Sequence, residues 1–171
     1  MKRYIDGGEA MLEAFRSLGV EYILSSPGSE WAPVWEALVR QRVDGTAGPT
    51  YIDCWHETVA VGMANGYALV TGRMQAVLLH AGPGLLQGAC AVHGALLSGA
   101  PMLVFSSESD SYGERPGVDP GSQWYRNLSV VGGPHGLPHR LRVQVLVHRR
   151  LPRTGPMPAA MQGVRCCGRT S

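Results

Sequence analysis

Residues 51–84 read YIDCWHETVAVGMANGYALVTGRMQAVLLHAGPG, and the order of elements in that stretch decides the fold. A strand-forming run at residues 50–54 is followed by a helix that Glu57 opens and Gly72 ends. A second apolar run, residues 75–80, leads into a Gly-Pro-Gly loop and a further helix from about residue 85 to 97. No hairpin dipeptide separates the two strands, so a helix must carry the chain from one to the next.

The same rhythm extends on both sides. Upstream, Asp6 is placed to cap a helix whose apolar positions Ala10, Met11, Ala14, Phe15 and Leu18 recur at steps of three and four, with Gly19 as terminator. Residues 20–25 read as a short buried strand, and the SPGSEW turn leads into a helix over residues 32–41. Downstream, Pro101 precedes a fourth strand, MLVFSS, at a position that tolerates its missing N–H. This alternation predicts the α/β class: a parallel sheet flanked by helices on both faces, with ligands gathering at the carboxyl ends of the strands. The SPGSE, WHE, HAGPG and SSESD segments all fall at such ends. Residues 106–121 form a polar loop before a short amphipathic piece, SQWYRNLSVV.

At 171 residues, with 44% hydrophobic and 16% charged side chains, the chain has the composition of a globular domain. Charge is distributed unevenly. All 13 acidic side chains lie in residues 1–134 with 8 of the 15 basic ones, whereas residues 135–171 hold the other 7 and no acid. That second segment is an Arg/Pro-rich tail without sustained periodicity, expected to be disordered or out of frame. A nucleic-acid arm would mix Lys with Arg and avoid clustered prolines and the vicinal Cys166 and Cys167, so no nucleic-acid partner is expected. Cys54 and Cys90 have no zinc spacing and are expected to be reduced, buried thiols. No run is long enough for a signal peptide or a membrane span, which predicts a cytoplasmic protein without a membrane partner.

Glu57 in isolation carries little information, because a glutamate in the first helical turn ordinarily complements the helix dipole. The helix behind it carries Ala60, Gly62, Ala64, Gly66 and Ala68. Small residues there permit another helix to approach and exclude water from the carboxylate, or they serve tight packing on the domain's own sheet. Gly82, Gly84 and Gly88 also form a GxGxxxG pattern after a strand, which raises a dinucleotide-binding Rossmann domain as the alternative. Against it, Pro83 lacks a backbone donor, and the first strand is followed by SPGSE rather than the glycine fingerprint. Trp31, Trp35, Trp55 and Trp124 form no helical stripe and are read as core or interface fillers.

GVEYILSSPGS, YIDCWHETVAVGMANGYALVTGR, HAGPG and APMLVFSSE follow in an order and spacing that resemble the N-terminal, pyrimidine-binding domain of thiamine diphosphate-dependent enzymes. The acetolactate synthase-like and benzoylformate decarboxylase-like members are the nearest in pattern, and the resemblance covers about residues 1–134. It implies thiamine diphosphate as cofactor. Glu57 then corresponds to the acid that hydrogen-bonds a ring nitrogen of the aminopyrimidine, which favours the imino tautomer and activates the thiazolium carbon. Pro27 and Gly28 correspond to the first active-site turn, and Gly82, Pro83 and Gly84 to the loop near the aminopyrimidine. Ser29 and His80 match positions that some decarboxylases of the family use to hold the substrate carboxylate and relay protons. Their other reading is a turn-capping serine and a hydrogen-bonded histidine. His56 either contacts the cofactor site or faces solvent.

The resemblance also implies that the cofactor is shared with the diphosphate-binding domain of another chain, in a homo-oligomer when full length. Family members hold magnesium through a Gly-Asp-Gly motif and an asparagine pair. Here no Gly-Asp-Gly occurs and Asn65 and Asn127 are the only asparagines, so magnesium is expected on an absent domain and no metal site on this chain. The family pattern continues beyond the SQWYRNLSVV region. The chain is accordingly expected to be an incomplete piece of a lyase or transferase, inactive alone; the alternative is a stand-alone pyrimidine-domain subunit of a two-subunit 2-oxo-acid decarboxylase.

Overall fold

The computed structural model describes residues 6–107. Along that stretch run α1 (Gly7–Ser17), β1 (Tyr22–Ser26), a 3-10 turn (Ser29–Trp31), α2 (Ala32–Val43), β2 (Thr50–Asp53), α3 (Glu57–Thr71), β3 (Gln75–Leu79), α4 (Gly82–Ser98) and β4 (Met102–Ser106). The four strands form one parallel sheet in the order β2-β1-β3-β4. The predicted α/β class is therefore the observed one.

Strand residues alternate between two cores because successive side chains point to opposite faces. Ile23, Ala76, Leu78, Leu103 and Phe105 pack with Leu12, Phe15, Trp31 and Val34 on one face, beneath α1 and α2. Leu24, Val77, Leu79, Met102 and Val104 pack with Ala60, Val61, Ala64 and Ala68 on the other, beneath α3 and α4. Such continuous apolar runs are what a sheet covered on both faces requires. Full burial of each Val, Leu, Ile or Phe contributes about 1.5–3 kcal/mol. Phe15 and Phe105 add an edge-to-face ring contact with centroids 5.3 Å apart.

Polar groups set the ends of the elements. Asp6 Oδ1 accepts the Glu9 N–H at 2.8 Å and its Oδ2 pairs with Arg40 at 2.5 Å, which caps α1 and ties it to α2. The Glu9 amide above all, helped by Arg40, holds the Asp6 carboxyl below its ordinary range. At the opposite end of the sheet, Glu21 accepts from the Tyr67 hydroxyl and the Arg73 guanidinium. The fully buried Gln75 uses its Oε1 to accept the Tyr22 N–H at 2.7 Å. Gly72 ends α3 with φ of 70°, a left-handed conformation that disfavours side chains.

Several expectations need correction. The Gly-Pro-Gly segment is the first turn of α4 rather than a loop before it. Proline fits there because the first helical N–H groups have no intrahelical partner to lose. Cys54 is buried, but Cys90 is exposed on α4. Of the tryptophans read as core or interface fillers, Trp31 is a core residue and Trp35 packs partly against the same core, as expected, whereas Trp55 is fully exposed and fills no core. The small residues of α3 divide between two faces. Ala60, Ala64 and Ala68 are buried within the domain, whereas Gly62 and Gly66 face open space.

The loop beyond Ser107, the SQWYRNLSVV piece, Trp124, Cys166, Cys167, the boundary at residue 134 and the tail lie outside the described residues. Among the described residues no helix is long and apolar enough to cross a membrane.

Candidate functional site

From β1 the chain moves outward to β2 and then returns to the other side of β1 to form β3. That reversal makes the carboxyl ends of β1 and β3 a topological switch point, the usual position of a ligand crevice in a sheet of this kind. The segments leaving those two strands are residues 27–31 and 80–84, which carry most of the residues singled out in the sequence.

Hydrogen bonds lock the two segments together. The Trp31 indole Nε1 donates to the Leu79 carbonyl at 2.9 Å, which pins the 3-10 turn onto the end of β3. The His80 N–H donates to the Ser26 carbonyl at 3.1 Å, and the Ser106 hydroxyl donates to the His80 carbonyl at 3.3 Å. Glu30 Oε1 lies 2.7 Å from His80 Nδ1 and accepts the Ala81 N–H at 2.8 Å. Both side chains of the pair are mostly buried.

Two glycines are required by this packing. A Cβ added to Gly28 would lie 1.9 Å from His80 Nδ1 and 2.1 Å from Glu30 Oε2. One added to Gly84 would lie 2.7 Å from the His80 Cβ and 2.9 Å from Glu57 Oε1. Glu57 enters from the end of β2 as the first residue of α3, half-buried over the first turn of α4. Among the described residues its carboxylate has no hydrogen-bond or ion-pair partner. Glu57 and His80 thus both border Gly84.

Gly28, Glu57, His80 and Gly84 form one cluster, and the buried Gly82 begins the turn that carries it. Pro27 is half-buried at the end of β1, while Ser29 and Pro83 are exposed. His56 is also exposed, and its Nδ1 accepts the Thr58 N–H at 3.1 Å as the cap of α3. The Gly82, Gly84, Gly88 spacing is used inside α4. There Gly88 faces Leu79, Glu57 and Val61 rather than an open phosphate-sized turn.

Glu30 and Trp31 were not singled out for the site. The acid in the SPGSE segment was the available signal, but nothing in the spacing links position 30 to position 80.

The family model for the thiamine pyrophosphate enzyme N-terminal TPP binding domain matches residues 5–129. The chain is 31% identical over 104 residues to the acetolactate synthase large subunit of Haemophilus influenzae, covering 61% of this chain and 17% of that protein. It is 32% identical over 126 residues to the mitochondrial acetolactate synthase catalytic subunit of Aspergillus candidus, covering 74% of this chain and 17% of that one. Among solved structures, the thiamine diphosphate-dependent 4-hydroxybenzoylformate decarboxylase of Rhodococcus jostii RHA1 aligns with a TM-score of 0.54 and 26% identity. That alignment covers 63% of this chain and 19% of the decarboxylase. The chain therefore spans less than a fifth of the length of these relatives.

Proposed function

Starting from the family to which this chain belongs, the thiamine pyrophosphate enzymes, whose N-terminal TPP binding domain it matches, we propose that Glu57 binds and activates the aminopyrimidine of thiamine diphosphate. The residues present suit that group. A carboxylate without a described partner stands half-buried over a helix whose glycine leaves its oxygen uncovered, beside the crevice at the β1–β3 switch. When bound, the cofactor supplies a nucleophilic carbon that adds to a carbonyl and stabilises the electron pair left by bond cleavage.

The chain's own residues would bind and orient. Glu57 holds a proton against a ring nitrogen. Gly82, Pro83 and Gly84 keep the approach to that carboxylate narrow, and Pro27 with Gly28 closes the crevice from the β1 side. Ser29 and His80 are proposed to receive the substrate carboxylate and a proton on the same side of the sheet. A 2-oxo acid is the substrate class this arrangement suits, in an acetolactate synthase-like or decarboxylase-like reaction.

The diphosphate half of the cofactor, with magnesium, is assigned to the diphosphate-binding domain of another chain, and this chain is read as inactive without it. The open face of α3 supports such a partner. Val59, Gly62, Met63, Gly66 and Val70 recur at three- and four-residue steps and are all exposed, with Trp55 just ahead of them. An exposed apolar stripe with glycines at its centre fits a closely approaching helix.

The observation that carries the proposal is the Glu57 carboxylate, half-buried over Gly84 and without a hydrogen-bond or ion-pair partner among the described residues. Calorimetric titration of thiamine diphosphate and magnesium into the full chain mixed with a diphosphate-binding domain of the family tests it. Glu57→Gln should weaken binding about ten- to a hundredfold, the equivalent of losing one charged hydrogen bond. Equal affinity of the two proteins would refute the assignment.

A further inference from the structure

We propose that Glu30 is a positioning residue that fixes His80 in its Nδ1-protonated tautomer, so that Nε2 is the nitrogen left to exchange a proton with a ligand in the β1–β3 crevice. The use of that proton rests on the function proposed above. The tautomer itself follows from the hydrogen bonds around Glu30.

Glu30 Oε1 contacts two groups, the Ala81 N–H at 2.8 Å and His80 Nδ1 at 2.7 Å. A backbone N–H can only donate, so the atom it meets is an acceptor oxygen. An ionised carboxylate has no hydrogen to give, so its second contact must also come from a donor, which requires hydrogen on Nδ1. In a neutral imidazole, hydrogen on Nδ1 leaves a lone pair on Nε2. The acceptor-only carboxylate sets the tautomer, and the Ala81 main-chain amide holds its oxygen in place.

Everything around the pair holds this geometry. Trp31, next to Glu30, is anchored to the Leu79 carbonyl, and the His80 backbone is held at its N–H by Ser26 and at its carbonyl by Ser106. Gly28 lies so close to Nδ1 that any larger residue would displace the ring. The His80 Cβ borders Gly84, which Glu57 borders as well.

The proton balance is simple. Neutral His80 takes a proton onto Nε2 from an acidic group of the ligand and becomes an imidazolium. Its Nδ1–H stays bonded to the Glu30 carboxylate throughout, and the Nε2 proton is returned when the ligand needs an acid. Glu30 touches no ligand in this scheme and changes no bond of its own.

Nitrogen-detected NMR on the full chain, labelled with 15N-histidine and held at alkaline pH where the rings are neutral, tests the inference without any cofactor. The chain has 6 histidines, and His80→Gln identifies the relevant signals. The expected spectrum has hydrogen on Nδ1 of His80. Glu30→Gln should retain that tautomer, because the Ala81 N–H selects the amide oxygen for the shared position, whereas Glu30→Ala should shift the ring to Nε2–H. A wild-type ring with hydrogen on Nε2, or no change in Glu30→Ala, would overturn the proposal. If circular dichroism shows Glu30→Ala to be unfolded, the wild-type and Glu30→Gln spectra decide: Nδ1–H in both supports it and Nε2–H in either refutes it. Failure here would leave the Glu57 titration untouched, and failure of that titration would leave the tautomer in place.

Discussion

Glu57 and Gly84 approach so closely that a single methyl group on the glycine would lie 2.9 Å from the carboxylate oxygen Oε1. The same methyl would lie 2.7 Å from the His80 Cβ. Gly84→Ala should therefore destabilise the chain by about 1–3 kcal/mol through overpacking and displace the carboxylate from the crevice. Urea unfolding reads the first effect and thiamine diphosphate titration the second. A variant with unchanged midpoint and unchanged binding would show that the helix turn gives way freely.

Gly66 behaves oppositely, because nothing lies within 4 Å of a Cβ built there. Gly66→Ala should stabilise the isolated chain by roughly 0.5–1 kcal/mol, the ordinary gain from replacing glycine inside a helix. Gly66→Leu should keep that stability yet lose association with a diphosphate-binding domain, measured by sedimentation. Association that survives the leucine would place the partner on another face.

The two described cysteines should differ sharply in reactivity. Burial pushes the Cys54 thiol pKa up and also blocks access, whereas Cys90 is exposed on α4. Alkylation of the native chain followed by peptide mapping should modify Cys90 first, with Cys54 reacting only after denaturant is added. Equal rates would mean that the core beneath α3 opens readily.

Asp6 supplies a pH-dependent increment of stability. Its folded pKa lies below the ordinary value of 3.8, so the contribution is present above that value and is lost as pH falls through the folded one. Asp6→Ala should cost about 1 kcal/mol at neutral pH, the usual worth of a helix cap. The difference from wild type should vanish in acid. A constant difference across the range would assign the loss to packing rather than to the ionised cap.

The sheet was legible in the sequence because its strands are apolar on both faces and separated by capped helices, as at residues 75–79 between Gly72 and Gly82. Glu57 and the glycines of the candidate site could be picked out through their order along the chain, and Gly28, Glu57 and Gly84 do lie close to His80. The Glu30–His80 pair was not, since it joins segments 50 residues apart and depends on where the Trp31 indole finds its acceptor. The exposure of Cys90 was equally hidden. Helix α4 is rich in Ala, Leu and Gly on all sides, so no polar stripe marks its outer face.

Chemical-shift mapping on the 15N-labelled full chain, with an unlabelled diphosphate-binding domain, tests the central assignment most directly as thiamine diphosphate and magnesium are added. The largest changes should fall on the amides of Gly28, Glu57, His80 and Gly84, and Glu57→Gln should diminish them at the same ligand concentration. Changes confined to other residues, or a pattern undiminished by Glu57→Gln, would contradict the role given to that carboxylate.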